Sequence, residues 1–257
     1  KIIHIHFYPS SFKDIYVPKS EVIGDIINTL ELFTKKIKIN PAWDFNYFFK
    51  VRDVLKKDIA QFARSPEFPL RPERIIADLG KVLPKDGMLA LDNGMYKLWL
   101  SRNFKTREQN GTLLDNALAT MGAGLPSGIA LKILYPRKKV LVVTGDGGIM
   151  MTLGDLETAV RLKISLVVLI LDDKCYGMIE WKQKNMKLAS FGLSFNNPDF
   201  VMLAKSFGAA GYKVRAARDL AKILKQTLNS KGVQIIACPI NYDKANAILG
   251  SIKNKKV

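Results

Sequence analysis

The stretch VLVVTGDGGIMMTLGDLETAVRLKISLVVLILDD, residues 140–173, decides the fold. It opens on Val140-Leu141-Val142-Val143, an apolar run without polar alternation, the mark of a strand buried on both faces. That run ends in Gly145-Asp146-Gly147-Gly148. A helix is predicted from about Met150 to Leu162, and a second buried strand, Leu166–Leu171, ends in Asp172-Asp173. Two such strands joined through a helix form a parallel βαβ unit.

The same alternation extends in both directions. Upstream, Pro72 suits a first helical position, and Ile75, Ile76, Leu79 and Leu83 follow at helical spacing. Met88–Leu91 reads as a short strand ending in Asp92-Asn93-Gly94, with a helix near Tyr96–Arg102. The Gly-rich segment Met121–Pro126 leads into a helix at Ser127–Leu134. Downstream come a strand around Tyr212–Val214, a helix Asp219–Leu228 closed by Gly232, and a strand Val233–Ile240. Strands alternating with helices predict an α/β fold with a doubly wound, mainly parallel sheet flanked by helices.

The first seventy residues read differently. Residues 2–7 look like a buried strand, followed by a turn at Pro9-Ser10-Ser11. A helix is predicted from Ser20 as N-cap, with Glu21 and Asp25 in its first turn and Lys35, Lys36 and Lys38 at its end, a charge order that suits the helix dipole. Residues 39–70 carry Pro41, Pro66 and Pro69 around the aromatic stretch Trp43, Phe45, Tyr47, Phe48 and Phe49, and read as a helical connector. The Lys-rich end, 251–257, reads as a frayed tail. The chain opens in a strand-like run with neither a Met nor a signal-peptide architecture, so it is expected to be the downstream part of a longer polypeptide.

Composition removes several classes. With 257 residues, 48% of them hydrophobic, one large domain or two smaller ones are expected, and disorder is excluded for most of the chain. No apolar run reaches the length of a membrane-spanning helix. Two cysteines, Cys175 and Cys238, neither staple a secreted scaffold nor complete a four-ligand zinc site, so a reduced, cytoplasmic setting is expected. The net charge of +17 raises the question of nucleic acid, but its distribution argues for a solvated basic surface. Residues 1–110 carry 19 basic and 13 acidic side chains, residues 111–257 carry 21 and 10, and the longest basic run is only Arg137-Lys138-Lys139. A basic nucleic-acid-binding module would also leave the spacing of the acidic turns unexplained.

Those turns carry the chemistry. In a doubly wound sheet, ligands bind beyond the carboxyl ends of the strands. Glycines after a strand permit close backbone approach and leave amide groups free for phosphate. An Asp within such a turn repels phosphate unless a cation lies between them, and Mg²⁺ takes one or two carboxylates together with phosphate oxygens and water. Asp146 and Asp173, the latter reached twenty-five residues beyond the Gly145-Asp146-Gly147 triplet (148–172), are therefore paired as metal ligands for a bound diphosphate. A lone Gly-Asp-Gly is also an ordinary turn; the second strand-terminal carboxylate is what gives it meaning. Asp172 reads as a turn or cap residue, and His4 and His6, alternating on a strand, as structural.

Gly145-Asp146-Gly147, the spacing and Asp172-Asp173 resemble the thiamine diphosphate and Mg²⁺ motif. LLDNALATMGAGLPSGIALK (113–132), VTGDGGIMMTLGDLETAVRLK (143–163), LDDKCYGMIEWKQ (171–183) and PDFVMLAKSFGAAGYKV (198–214) resemble acetolactate synthases, and IACPINYDKAN (236–246) is similar to their C-terminal strand and exit. The resemblance covers nearly the whole chain. It implies that 1–38 is the end of a central domain and 71–257 the diphosphate-binding domain, with the pyrimidine-binding domain absent. It implies Mg²⁺ held by the side chains of Asp146 and Asp173 and the backbone carbonyl of Cys175. Gly94, Met95 and Tyr96 would contact the diphosphate, with further backbone contacts from Gly145, Gly147, Gly148, Gly177 and Met178. Met121 would support the cofactor beneath its thiazolium ring. Ala119, standing where relatives carry Gly or Gln, would offer a backbone carbonyl to the aminopyrimidine. Asp173 replaces the more usual Asn.

The implied activity is condensation of two pyruvates to 2-acetolactate and CO₂, with another thiamine diphosphate-dependent 2-oxo acid decarboxylase or carboligase as the alternative. The activating glutamate would come from the pyrimidine-binding domain of a neighbouring subunit in a homodimer or homotetramer. Residues 1–257 alone are therefore expected to be inactive. Residues 1–38 hold too little of a central domain to imply FAD, and neither nucleic acid nor a membrane is an expected partner.

Overall fold

A computed structural model of the chain describes residues 1–11, 17–243 and 245; the Lys-rich end 251–257 lies outside them. The chain divides into two units, Lys1–Val51 and Arg52–Val257.

In the first unit, β1 (Ile3–His6) pairs in parallel with β2 (Ser20–Ile23), Ile3 opposite Ser20 and His6 opposite Ile23. The segment from Ser20 is thus a strand where a helix was expected. Val22 and Ile23 are β-branched and favour the pleated conformation, and Gly24 then breaks it. The helix begins later, as α1 (Ile26–Lys36), capped by Asp25, whose carboxylate accepts the Asn28 N–H at 2.8 Å. The strand at the start is present but not buried: Ile3 is 59% exposed. A second helix, α2 (Asn46–Phe62), spans the division between the units and buries none of its residues.

The second unit is built on a six-stranded parallel sheet. After α3 (Pro72–Val82) the order is β3 (Met88–Leu91), α4 (Met95–Asn103), β4 (Thr112–Leu114), α5 (Gly124–Leu134), β5 (Val140–Gly145), α6 (Asp146–Met151), α7 (Asp155–Arg161) and β6 (Val167–Asp172). Then come α8 (Gly177–Asn185), α9 (Phe200–Ser206), β7 (Ala210–Lys213), α10 (Asp219–Leu228) and β8 (Gln234–Pro239). The strands lie in the order β4-β3-β5-β6-β8-β7.

Alternating side chains split between two cores. Leu89, Leu91, Leu141, Val143, Leu169 and Leu171 join residues of α3, α4 and α10 on one face. Ala90, Val142, Val168 and Ile170 join α5, α7 and α9 on the other. Both faces being covered explains why these strands read as continuous apolar runs. The helix expected at about Met150–Leu162 is interrupted: α6 ends at Met151 and α7 starts at Asp155. At the break the Thr152 hydroxyl donates to the Gly122 carbonyl at 2.9 Å.

This order has a topological consequence. The chain leaves β3 toward β4 on one side and returns to β5 on the other, so the strand order reverses between β3 and β5. Ligand crevices of open α/β sheets form at such a point, beyond the carboxyl ends of the strands.

Candidate functional site

A crevice of about 50 Å³ lies at that reversal, lined by Asn93 to Tyr96, Met121, Gly145 to Gly148, Asp173, Cys175 to Ile179 and Tyr242. Every site residue expected from the sequence is among them except Ala119, which sits on an exposed turn with φ of 51°. A space that small takes the polar end of a ligand and leaves the rest outside.

The wall from β3 rests on Asp92, which is fully buried. Its carboxylate accepts the Thr144 hydroxyl at 2.7 Å, the Asn93 N–H at 2.7 Å and the Gly122 N–H at 2.9 Å. One side chain thus ties the turn after β3, the turn before α5 and the end of β5 together. Burial holds its carboxyl above the usual carboxylate range, against the opposing pull of those hydrogen bonds. Asn93 donates to the Thr120 carbonyl at 2.7 Å and accepts from the Lys97 ammonium, which fixes the approach to Met121. The sequence marks Asp92-Asn93-Gly94 only as a strand end; its bracing role follows from Thr144 and Gly122, distant in sequence.

Close packing dictates the glycines. A Cβ on Gly94 would lie 2.5 Å from the Tyr96 ring, one on Gly147 2.8 Å from the Tyr176 ring, and one on Gly148 2.6 Å from the Asp92 carboxylate. A Cβ on Gly177 would lie 2.7 Å from the Asp173 carboxylate. The turns are therefore held as bare backbone against the crevice.

Asp146 and Asp173 face one another across it. Asp146 is 1% exposed; its Oδ1 accepts the Gly147 N–H at 2.8 Å, and its Oδ2 accepts the Lys174 N–H and the Asn197 amide, each at 2.7 Å. Each carboxylate oxygen has two acceptor positions, so one remains on Oδ1. Burial holds the Asp146 carboxyl above the usual carboxylate range. Burial, and then the charge of Asp146, push Asp173 up to about 8. A buried and a half-buried carboxyl group in mutual repulsion are the donor set a divalent cation neutralises. Among the described residues no His, Cys, Asp or Glu completes a cluster of three such side chains, so any further metal ligand is a side-chain amide or hydroxyl, backbone, water or phosphate.

The backbone meets this need. Lys174 holds φ at 56°, a left-handed conformation, and the chain beyond it pairs with the segment Leu193–Phe195 through Tyr176 N–H to Leu193 O at 3.0 Å and Phe195 N–H to Lys174 O at 3.2 Å. Among the described residues no donor engages the Cys175 carbonyl. The Cys175 thiol is pushed up to about 11 by burial, then by the charge of Glu180, so it stays protonated. Asp172 is outside the crevice lining and accepts the Asn197 amide at 2.9 Å. Asn197, which bridges Asp146 and Asp172, was not foreseen, since Asn196-Asn197-Pro198 reads as an ordinary polar turn. Tyr242, buried directly after β8, had only its aromatic character at a strand end to recommend it.

The chain matches the family model "Thiamine pyrophosphate enzyme, C-terminal TPP binding domain" over residues 92–238. It belongs to the thiamine pyrophosphate (thiamine diphosphate) enzyme family. Among individual proteins it is 29% identical to the catabolic acetolactate synthase of Raoultella terrigena over 98% of the chain, and 31% identical to the acetolactate synthase of Bacillus subtilis over 94%. It spans 45% and 43% of the lengths of those relatives. Its fold matches the thiamine diphosphate-dependent 4-hydroxybenzoylformate decarboxylase of Rhodococcus jostii with a TM-score of 0.77 at 22% identity, covering 94% of this chain and 44% of that one.

Proposed function

We propose that this chain is the cofactor-binding region of an acetolactate synthase, which condenses two pyruvates to 2-acetolactate and CO₂. The observation that carries the reading is the pairing of the buried Asp146 with the half-buried Asp173 in a crevice lined by glycine backbone and apolar side chains. It is supported by the similarity of nearly the whole chain to acetolactate synthases.

In this reading Asp146, through its remaining Oδ1 position, Asp173 and the Cys175 carbonyl hold Mg²⁺. Gly94, Met95 and Tyr96, with Gly145, Gly147, Gly148, Gly177 and Met178, receive the diphosphate. Met121 supports the cofactor's rings, and Ala119 offers its carbonyl to the aminopyrimidine. Asp173 adds a charge that Asn would lack and so favours the metal further. When bound, thiamine diphosphate supplies carbanion stabilisation for decarboxylation and carbon–carbon bond formation. Among the described residues no glutamate lines the crevice, so the group that activates the aminopyrimidine comes from a pyrimidine-binding domain in a neighbouring subunit of a homo-oligomer.

Product analysis with pyruvate, thiamine diphosphate and Mg²⁺ tests this. A polypeptide that joins a pyrimidine-binding domain to this chain is expected to form acetolactate, and residues 1–257 alone none. Acetaldehyde as the product would make the protein a 2-oxo acid decarboxylase instead. Acetolactate from residues 1–257 at the rate of the longer polypeptide would overturn the division of labour.

A further inference from the structure

The other end of the same strands has a different chemistry. A cavity of about 310 Å³ lies at the first residues of β5 and β6 and the last turn of α10, and Lys132, Arg137, Lys139 and Lys231 line it together with Ser165. No acidic side chain is among its lining residues. It is separated from Asp146 by the length of β5, about 20 Å at the usual rise per residue.

The donors there are unspent. Lys132 is 8% exposed and donates to the carbonyls of Pro136 at 2.8 Å and Lys138 at 2.6 Å, which fastens the turn carrying Arg137 and Lys139. An ammonium has three N–H groups, so one is left over. The Ser165 oxygen accepts the Gly232 N–H at 3.2 Å, and its own O–H has no acceptor among the described residues. Lys138 is paired, 3.6 Å from Glu108, whereas Arg137, Lys139 and Lys231 form no ion pair among the described residues. Burial, and then the charge of Lys139, hold Lys132 below the usual lysine range, which shows like charges crowded without a counter-charge.

Basic residues near helix ends often serve only to meet terminal carbonyls. Lys132 bonds carbonyls of the turn after α5, but the other three cations make no such bond among the described residues, and all four line one cavity. We propose that this cavity binds a small molecule carrying two or more phosphate groups, held by Lys132, Arg137, Lys139, Lys231 and the Ser165 hydroxyl. A planar guanidinium donates to two phosphate oxygens side by side, lysines add point charges, and one phosphate alone would leave part of the positive charge unmatched. The negative end of the α10 dipole opens on the same space and opposes an anion there, so the four basic side chains must outweigh it.

Calorimetric titration of the 257-residue chain with pyrophosphate and with ADP, in EDTA to remove divalent cations, tests the assignment. Saturable binding is expected that survives Asp146→Ala, weakens with added salt, and falls by about tenfold or more in Lys139→Ala/Lys231→Ala. Lys231 is exposed, so Lys231→Glu gives a second variant that leaves packing untouched, and a loss of similar size is expected from it. Tighter binding of ADP would support a nucleotide as the ligand, and equal binding would support recognition of the phosphates alone. Absence of saturable binding, binding lost in Asp146→Ala, or binding indifferent to both lysine variants would each overturn the proposal.

Discussion

The two ends of the β5–β6 pair differ more than any two faces of the sheet. Between them, Leu141 to Val143 and Val168 to Ile170 are almost wholly buried and exchange only apolar contacts. At the carboxyl end stand buried carboxyl groups, glycines with no room for a Cβ, and a left-handed Lys174. At the amino end stand long basic side chains around a roomier cavity. The strands fix position; charge and chemistry are confined to where they stop. The carboxyl end is built to strict tolerances because backbone must approach a ligand there, whereas flexible side chains leave the amino end adaptable.

Substitution at each end measures that difference. Asp92→Ala would leave the Thr144 hydroxyl and the Gly122 and Asn93 N–H groups without their acceptor, at a cost of about 3–5 kcal/mol in urea denaturation. Lys139→Ala/Lys231→Ala should change stability by less than about 1 kcal/mol. Equal losses at the two ends would break the comparison.

The acidic end should also make stability depend on pH. Asp173 is pushed up to about 8 in the folded, metal-free chain, far above its unfolded value, so the folded state retains a proton that the unfolded state has released. Stability should therefore fall as pH rises from about 4 to about 8, and Mg²⁺ should flatten the fall by neutralising the carboxylates. Thermal denaturation across that range, with and without Mg²⁺, reads the effect. A metal-free chain whose stability rises throughout this window would show that Asp173 ionises freely.

The smallest effect is expected at Ala119, whose φ of 51° costs an L residue more than it costs glycine. Ala119→Gly should gain about 0.5 kcal/mol, after the entropy lost by glycine on folding is deducted. A loss of stability on the same denaturation assay would mean that the Ala119 side chain makes compensating contacts.

What could be read from the sequence follows the same division. The βαβ core was legible because strands covered on both faces are continuous apolar runs, and Asp146 and Asp173 because a second strand-terminal carboxylate follows the Gly-Asp-Gly turn; the other crevice residues came from the family resemblance. The break at Thr152 was hidden, since Met150–Leu162 satisfies helical spacing and only the bond to Gly122 opposes it. Near the start, Ser20 followed by acidic residues imitates a helix cap, yet pairing with Ile3–His6 makes the segment a strand. The short β4 and the bridging Asn197 depend on partners distant in sequence, where local pattern carries no signal.

Titration of the chain with thiamine diphosphate, with and without Mg²⁺, in wild type, Asp146→Ala and Asp173→Asn tests the central claim most directly. The account predicts Mg²⁺-dependent binding that is largely abolished in Asp146→Ala, because a carboxylate is removed from a site with few protein ligands. Binding should be weakened only modestly in Asp173→Asn, whose amide oxygen still coordinates. Unchanged affinity in Asp146→Ala, or binding indifferent to Mg²⁺ in the wild type, would contradict it.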